Sequence, residues 1–481
     1  MIPFSPAVAA AVENRTAPPR SSRSVRASAG IPNRTARATN CSGCAAPSSR
    51  EKVEWQCSSA YIRPMPKPTV IRRPPSKLPS AVCLPPSAPP VSRRDALATI
   101  AAGALAIAIA PAVLRNRYRI FAASPVEYSA RAVRLVARTV VIDMLNQFRF
   151  ADYAEHPPKS ELWLRAPRSF TTADFQQYRT SGIRVFALGQ SAASYESGVR
   201  FYADWNGFIA GYTDWFTRIE SAGDFERLKK SNKVGIMLTF QNSDHFRTPD
   251  DVNTFHTLGQ RLSQLTYNAT NKLGSGFLAD TDVGLTPFGA EIVARMNAVG
   301  MAVDLSHCGD RTTLDGIAAT KKPALFSHAA CRALVPGHMR CKTDEMITSM
   351  AKTGGVMGIP MIRFMIKIDE PVTQEHVLDH FDHVAKLVGV EHVGVGGDLD
   401  LVGNPNPVNA PDGGGRPTNQ HNFDRYRLHE DTDGRITIRG LDHPKRIYDL
   451  TEGLIRRKYS DADIQLILGG NWIRALKEIW I

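Results

Sequence analysis

The fold of this chain is most constrained by a series of short apolar runs of β type, each followed by a stretch long enough for a crossover helix. The runs are Val140–Leu145, Arg184–Gly189, Val234–Phe240, Gln264–Tyr267, Ala302–Ser306, Ala324–Ser327, Val356–Ile362 and His392–Gly397. Apolar runs without strict alternation are typical of parallel strands that are covered on both faces. Eight of them in succession predict an α/β fold, a (β/α)₈ TIM barrel, rather than an open doubly wound sheet.

The stretches between these runs show helical periodicity. Phe288–Val299 and Val377–Leu387 both place apolar residues at helical spacing, as amphipathic helices outside a barrel do. His376, His380 and His383 fall at helical spacing in and beside the second stretch, and we predict that they lie on the outer surface rather than in a site. No Gly-x-Gly-x-x-Gly motif follows the first run, which argues against a dinucleotide-binding fold.

The N-terminal part of the chain differs in composition from the rest. Its first 95 residues hold 16 of the 32 prolines and 15 of the 59 lysine and arginine residues, but only four of the 46 acidic ones. Most of the formal net charge of +13 therefore lies in a tract without a periodic apolar face, so the charge does not predict a nucleic-acid partner. We predict a disordered Pro/Ser/Arg-rich tract over residues 1–91 and a (β/α)₈ catalytic domain over residues 115–481.

Residues 92–114 resemble an export signal. Arg93 and Arg94 precede an apolar, alanine-rich run from Ala96 to Leu114, which is the pattern of a twin-arginine signal. The alternative is an uncleaved anchor, since a run of this length can just cross a bilayer. The sequence therefore predicts a periplasmic or exported protein that uses the twin-arginine export machinery, or one anchored to the inner membrane. The translation start and any signal cleavage stay open.

Polar side chains fall at the C-terminal ends of five predicted strands. They are Gln241, Tyr267 with Asn268, His307, His328 and Asp398. Catalytic groups of a (β/α)₈ barrel project from these strand ends. Histidines at the ends of two consecutive strands, with an aspartate after the eighth, predict a site that binds a metal or transfers a proton. The segment Asn404–Gly415, rich in Pro, Asn and Gly, is predicted to form a loop over this face.

Several sequence blocks follow one another from the fourth run to the end of the chain. They are Gln264–Asn268 with Asn271, Gly284–Gly289, Asp304–His307, Ser327–His328, His392–Asp400 and Gly469–Arg474. Together they resemble the membrane (renal) dipeptidase family. The resemblance implies a barrel of the metal-dependent amidohydrolase type with two zinc ions bridged by a glutamate. It also implies hydrolysis of dipeptides by metal-activated water, and a homodimer.

Four positions match functional residues of that family. His307 and His328 match the two histidines of its second metal site. Asp398 matches the aspartate that handles the proton, and Arg340 matches the arginine that receives the substrate carboxylate. A forked guanidinium suits bidentate binding of a carboxylate. Asp304 or Ser306 is expected to orient an imidazole by a hydrogen bond to its outer nitrogen, although for Asp304 support of the strand end is the preferred interpretation.

Other positions depart from the family pattern. After the first strand the family has Asp-x-His-x-Asp, whereas this chain has Asp143, Leu145 and Gln147 at the three positions. The bridging glutamate is replaced by Gln241, and a histidine near the substrate oxyanion is replaced by Tyr267. A neutral amide supplies no charge to hold two cations together. The sequence therefore predicts a single divalent ion, zinc by preference, or no metal at all.

Three functions are compatible with these residues. The first is a hydrolase of dipeptides or small amides, with the metal at His307, His328 and Asp398 and Gln241 as a weak further ligand. In it, Asp398 and Tyr267 are catalytic, and Arg340, Tyr267 and Asn268 bind substrate. The second is a binding or scaffold barrel that has lost hydrolysis. The third is an enzyme in which Tyr267, Gln241 and Asp398 carry out acid–base chemistry without metal.

Overall fold

A computed structural model describes residues 116–120, 126–150, 159–367, 371–402, 438 and 440–480. The tract 1–91, the segment 92–114 and the loop 404–415 lie outside the described residues. The strands are β1 (Arg117–Tyr118), β2 (Tyr128–Ser129), β3 (Ile142–Asn146), β4 (Val185–Gln190), β5 (Phe216–Arg218), β6 (Val234–Phe240), β7 (Leu262–Gln264), β8 (Ala302–Asp304), β9 (Leu325–Phe326), β10 (Val356–Ile359) and β11 (Val393–Val395).

The localisation predicted from the sequence is wrong. Across the described ranges, no helix is both long enough and apolar enough to cross a membrane. This finding overturns the prediction of a periplasmic or exported protein, or of one anchored to the inner membrane by its N-terminal apolar segment.

Eight parallel strands follow one another around a nearly closed barrel, in the order β3, β4, β6, β7, β8, β9, β10 and β11. The short strand β5 pairs with β6 outside this path, and β1 pairs with β2 in a separate antiparallel ladder. A parallel bridge between Asn146, in the first barrel strand, and Leu399, just after the last, joins these two strands and closes the barrel. The backbone N–H of Asp398 donates to the carbonyl of Leu145 at 2.8 Å across the same seam. The predicted (β/α)₈ barrel is therefore confirmed.

Helices surround the strands. They are α1 (Ala130–Arg138), α2 (Lys159–Arg165), α3 (Thr172–Thr180), α4 (Tyr195–Gly211), α5 (Ala222–Lys229), α6 (Pro249–Leu258), α7 (Pro287–Val299), α8 (Asp310–Ala319), α9 (Asp344–Lys352), α10 (Arg363–Ile366), α11 (Gln374–Val388), α12 (Arg446–Arg456), α13 (Asp461–Gln465) and α14 (Asn471–Ile479). Local chemistry sets their ends. In α7 the Thr286 side chain accepts from Gly289 N, Pro287 takes the first turn, and Gly300 ends the helix with φ +75°, as caps of these types do.

The apolar runs of the sequence become the two faces of the barrel wall. All seven residues of β6 are buried, which explains why its apolar run does not alternate. Met237 packs inside the barrel in one cluster with Ile142 and Ala187. Ile236 and Leu238 belong to the cluster between the strands and the helices.

The last helix closes the N-terminal end of the barrel. Arg474 of α14 donates to the carbonyls of Gly354 and Glu391, which lie just before β10 and β11. Lys322, before β9, donates to the carbonyl of Glu478 in α14. The indole N–H of Trp480 donates to the carbonyl of Arg261, before β7. Trp472 of α14 is fully buried, and its indole N–H donates to the carbonyl of Val395 at 3.1 Å.

The turn before α14 passes very close to the first barrel strand. A methyl group added to Gly469 would lie 2.0 Å from the carbonyl oxygen of Val140, so only glycine fits there. The chain can therefore seat Trp472 against the inner core cluster that contains Ile142.

One surface prediction is wrong. His380 of α11 is fully buried: its Nδ1 accepts from Cys331 N at 3.0 Å, and its Nε2 lies 3.0 Å from the carbonyl of Ile366. Burial lowers the pKa of His380 to about 4, so the ring stays neutral and links three segments. Helical spacing alone did not distinguish this inward histidine from His376 and His383.

Candidate active site

The structure brings the predicted strand-end residues together on the C-terminal face of the barrel. Nε2 of His307, after β8, lies 3.0 Å from Nε2 of His328, after β9. His328 is fully buried and His307 is 7% exposed. Asp398, after β11, places Oδ2 4.0 Å from Nε2 of His328. The three residues therefore form one cluster, as the sequence predicted.

Neighbouring side chains fix the tautomer of each imidazole. Nδ1 of His307 lies 2.7 Å from Oδ1 of Asn268, and Nδ1 of His328 lies 2.8 Å from Oγ of Ser327. The Ser327 hydroxyl donates its own proton to Oδ2 of Asp304, so it accepts from His328. Both Nδ1 atoms therefore carry a proton, and a neutral imidazole then has only a lone pair at Nε2. Two lone pairs face each other across 3.0 Å.

Protonation does not resolve this contact. Burial lowers the pKa values of His307 and His328 well below their usual range, and the Arg340 charge lowers them further. A second imidazole proton is therefore disfavoured at neutral pH. A cation between the two Nε2 atoms satisfies both lone pairs.

A buried aspartate supports the pair from behind. Asp304 is fully buried, and its Oδ1 accepts from the hydroxyl and backbone N–H of Ser306 and from the backbone N–H of Ser327, at 2.6–3.0 Å. Burial raises the pKa of Asp304, and these hydrogen bonds lower it. The predicted direct bond from Asp304 or Ser306 to an imidazole is absent among the described contacts, because Ser327 takes that place.

Asp398 is the most accessible acid of the cluster. Its side chain is 16% exposed, and its Oδ1 accepts from Gln147 at 3.4 Å. Burial raises the pKa of Asp398 to about 7, while the Arg340 charge and the Gln147 hydrogen bond lower it. Its backbone has φ +55°, a left-handed conformation that Asp and Asn adopt more readily than most residues.

Arg340 and Tyr267 flank the histidines. Arg340 is 2% exposed and donates to the carbonyls of Ser306 and His328, which holds its charge beside the pair. The Tyr267 ring stacks on His307 with centroids 4.3 Å apart and is 39% exposed. Burial of its hydroxyl and the charge of Asp398 raise the pKa of Tyr267 to about 12, so the hydroxyl remains a donor.

Residues 189–409 match the sequence model of the membrane dipeptidase family, peptidase family M19. Over these residues the chain is similar to the membrane dipeptidase family. This confirms the resemblance seen in the sequence.

Individual relatives agree with the family assignment. The chain is 26% identical over 272 residues to Dipeptidase tcpJ of Claviceps purpurea, covering 56% of each, and 27% identical over 274 residues to Dipeptidase verJ of Clonostachys rogersoniana, covering 56% of this chain and 62% of that one. The chain thus matches little more than half the length of these curated relatives.

Solved structures share the barrel. An amidohydrolase from Pseudomonas aeruginosa is 26% identical with a TM-score of 0.59, covering 73% of this chain and 99% of that one. A metallopeptidase from Rhodobacter sphaeroides, solved with a phosphinate mimic of L-Ala-D-Ala, is 17% identical with a TM-score of 0.56. The match covers 71% of this chain and 100% of that one. The second likeness concerns the fold alone.

Similarity to this metallopeptidase family implies a divalent metal ion, typically zinc. Two ions do not fit this site. Leu145 and Gln241 both pack against Gly189, where an added methyl would lie 2.6 Å from Leu145 Cδ1 and 2.9 Å from Gln241 Nε2. A hydrocarbon and a neutral amide thus stand where the family resemblance implies a histidine and a bridging glutamate.

One ion fits in part. Within the described residues, no group of three or more His, Cys, Asp or Glu side chains could hold a metal as arranged. The imidazole pair supplies two converging donors, and Asp398 stands 4.0 Å from one of them. His307 and His328 would hold the ion, with Asp398 as the third ligand.

The amide that orients His307 gives a test of this fit. Replacing Asn268 by leucine removes the acceptor for Nδ1, and we expect zinc affinity to fall about 10–100-fold, as for other partners of ligating histidines. Asn268→Asp keeps an acceptor of the same size and should retain affinity. Competition with a chelator measures both. Equal affinities for Asn268→Leu and the unchanged chain would contradict the assigned tautomer.

Proposed function

We propose that this chain hydrolyses an amide bond in a small substrate with a free carboxylate, such as a dipeptide, and uses one divalent ion, zinc by preference. The observation that carries the proposal is that Nε2 of His307 and Nε2 of His328 lie 3.0 Å apart and face each other with their lone pairs. The names of the relatives, which are dipeptidases and a metallopeptidase bound to a dipeptide mimic, support this class of reaction.

Each residue has a separate task in this proposal. The ion, when bound, would polarise the scissile carbonyl and make water a better nucleophile. Asp398 lies beside the histidine pair and is open enough to accept the proton of the attacking water. Arg340 places a fixed positive charge beside the site and binds the substrate carboxylate. The Tyr267 hydroxyl donates to the oxygen on which negative charge develops, and Asn268 orients His307 at the substrate side.

A second candidate is a barrel that binds a ligand without hydrolysing it. It is favoured by the lack of a three-ligand group in the described part of the chain, and by the neutral residues Leu145, Gln147 and Gln241 at positions where the family resemblance implies charged or metal-binding side chains. This candidate predicts a folded protein that carries no stoichiometric metal.

Metal content separates the two candidates. We expect about one equivalent of zinc or manganese in the full-length chain purified without a histidine tag, and almost none in His328→Ala, because one imidazole alone holds such an ion weakly. Elemental analysis measures this. His256→Ala, on α6, removes a histidine far from the pair and should leave the metal content unchanged.

The other outcomes are equally clear. Protein without metal even after incubation with zinc or manganese would exclude the one-ion hydrolase and favour the binding barrel. Turnover that survives in a metal-free His328→Ala protein would instead indicate acid–base chemistry by Asp398 and Tyr267.

A further inference from the structure

A cavity of about 610 Å³ lies outside the candidate active site, beside the N-terminal ends of β4 and β6. Helix α3, the turn before β6 and the start of α12 form its wall, which includes Phe175, Gln176, Arg179, Asn232, Lys445 and Tyr448. None of the residues assigned to the candidate active site lines it. Sites for small molecules usually measure roughly 300–1,000 Å³, so this cavity is large enough for a ligand of its own.

The charged side chains of the cavity wall are basic. Among the described residues that line it, Arg179 and Lys445 carry a charge, and no aspartate or glutamate takes part. Arg179 donates to Oδ1 of Asn232 at 3.2 Å and pairs with no carboxylate across the described ranges. Lys445 donates to the carbonyl of Thr180 at 2.9 Å, which holds its ammonium at the end of α3. Two positive charges therefore border the cavity.

A third basic side chain stands behind this wall. Nη2 of Arg184 donates to the carbonyls of Leu228, Ser231 and Lys233 at 2.9–3.2 Å. Its Nε is buried and has no hydrogen-bond partner among the described residues. Burial lowers the pKa of Arg184, and the charge of Arg179 lowers it further. Because neighbouring like charges repel each other, a bound anion would relieve a cost that the fold otherwise carries.

The uncharged part of the wall suits an organic group. Tyr448 is partly buried and borders the cavity with its ring, and Gln176 and Asn232 are exposed there. Side-chain amides both donate and accept hydrogen bonds, and an aromatic ring offers apolar surface with a polar tip. The wall therefore combines basic groups with groups that recognise a small polar molecule.

The number of positive charges favours phosphate over carboxylate. A phosphate ester carries about −1.5 to −2 at neutral pH, whereas a carboxylate carries a single charge. A guanidinium fork matches phosphate oxygens in geometry, and an ammonium binds them as a point charge. A dianion thus satisfies Arg179 and Lys445 together, and its field also reaches Arg184.

We propose that this cavity binds a small organic phosphate, with the phosphate group held between Arg179 and Lys445. The organic part lies against Tyr448 and the neighbouring amides. The site is separate from the proposed amide hydrolysis, because the histidine pair follows the C-terminal ends of β8 and β9 whereas this cavity adjoins the N-terminal ends of β4 and β6.

Calorimetry with phenyl phosphate and the full-length chain tests the proposal. At about pH 8 the probe is close to a dianion, since the second pKa of a phosphate ester is about 6. We expect Arg179→Gln to raise the Kd about tenfold or more, because it removes a charge-assisted contact. Arg200→Gln is the matched control: this exposed arginine of α4 lies outside the cavity wall, and its loss should leave the Kd unchanged.

Further measurements locate the ligand and define it. A zinc ion can also bind phosphate, so binding is repeated with His328→Ala, which is expected to carry almost no metal and should keep the Kd of the unchanged chain. Phenol and inorganic phosphate represent the two parts of the probe, and each should bind at least tenfold more weakly than phenyl phosphate. Arg179→Gln should retain amide hydrolysis, so the two proposals are tested independently.

Three results would overturn the inference. Equal Kd values for Arg179→Gln and Arg200→Gln would show that the cavity does not hold the phosphate. Loss of binding in His328→Ala would place the ligand at the metal instead. Inorganic phosphate that binds as tightly as phenyl phosphate would refute a site for an organic phosphate. None of these results would affect the proposed amide hydrolysis.

Discussion

Replacement of Asp398 by asparagine is expected to lower kcat/KM for amide hydrolysis by about 10²–10⁴-fold, the usual contribution of a positioned proton acceptor. The amide has the shape of the carboxylate but cannot take the proton of the attacking water. Its oxygen can still accept the hydrogen bond from Gln147, which spans 3.4 Å in the structure. Initial rates with a small amide substrate measure the effect.

Asparagine is also the substitution that the backbone tolerates. Asp398 has φ +55°, and asparagine enters this region nearly as readily as aspartate, whereas alanine adds strain of roughly 1 kcal/mol or more. The free energy of unfolding of Asp398→Asn should therefore lie within about 0.5 kcal/mol of the value for the unchanged chain. Asp398→Ala should be less stable than either. Retention of more than a tenth of the activity in Asp398→Asn would show that another group accepts the proton.

Replacement of Trp472 by alanine is expected to lower the free energy of unfolding by about 3–5 kcal/mol. The ring is fully buried and contacts Gly394 so closely that a methyl there would lie 2.5 Å from the indole nitrogen. Its loss leaves a cavity at the base of the barrel and an unpaired carbonyl at Val395. Urea denaturation, followed by circular dichroism, gives the change.

An exposed residue on the same helix provides the control. Lys477→Ala removes a side chain that is 46% exposed and reaches Glu226 only at 3.9 Å, and its effect should stay within about 0.5 kcal/mol. If Trp472→Ala cost less than about 1 kcal/mol, the base of the barrel could not depend on this ring.

The sequence predicted the barrel well because periodicity reports burial. The run Val234–Phe240 has the bounds of β6, since both faces of that strand are covered. The run Gln264–Tyr267 was placed too late: β7 spans Leu262–Gln264, and Tyr267 already belongs to the loop that carries the site. Strand β5, Phe216–Arg218, was missed because three residues are too few to show a period.

The sequence positions of the candidate site residues could be predicted, but the orientations of their side chains could not. His307, His328 and Asp398 stood out because each follows a strand of a parallel barrel. The bond from Ser327 to His328 could not be predicted, because it depends on side-chain rotamers and on contacts with a neighbouring strand. The positive φ of Asp398 likewise arises where the barrel closes.

Helix α14 also determines when the fold can be completed during synthesis. Val140 and Trp472 belong to one core cluster although 332 positions separate them in the chain. At a translation rate of about 5–20 residues per second, the first strand waits roughly 15–65 s for this partner. For that interval the nascent chain carries an open barrel with apolar surface exposed on the ribosome. Synthesis of α14 is therefore the step that allows this core cluster to be completed.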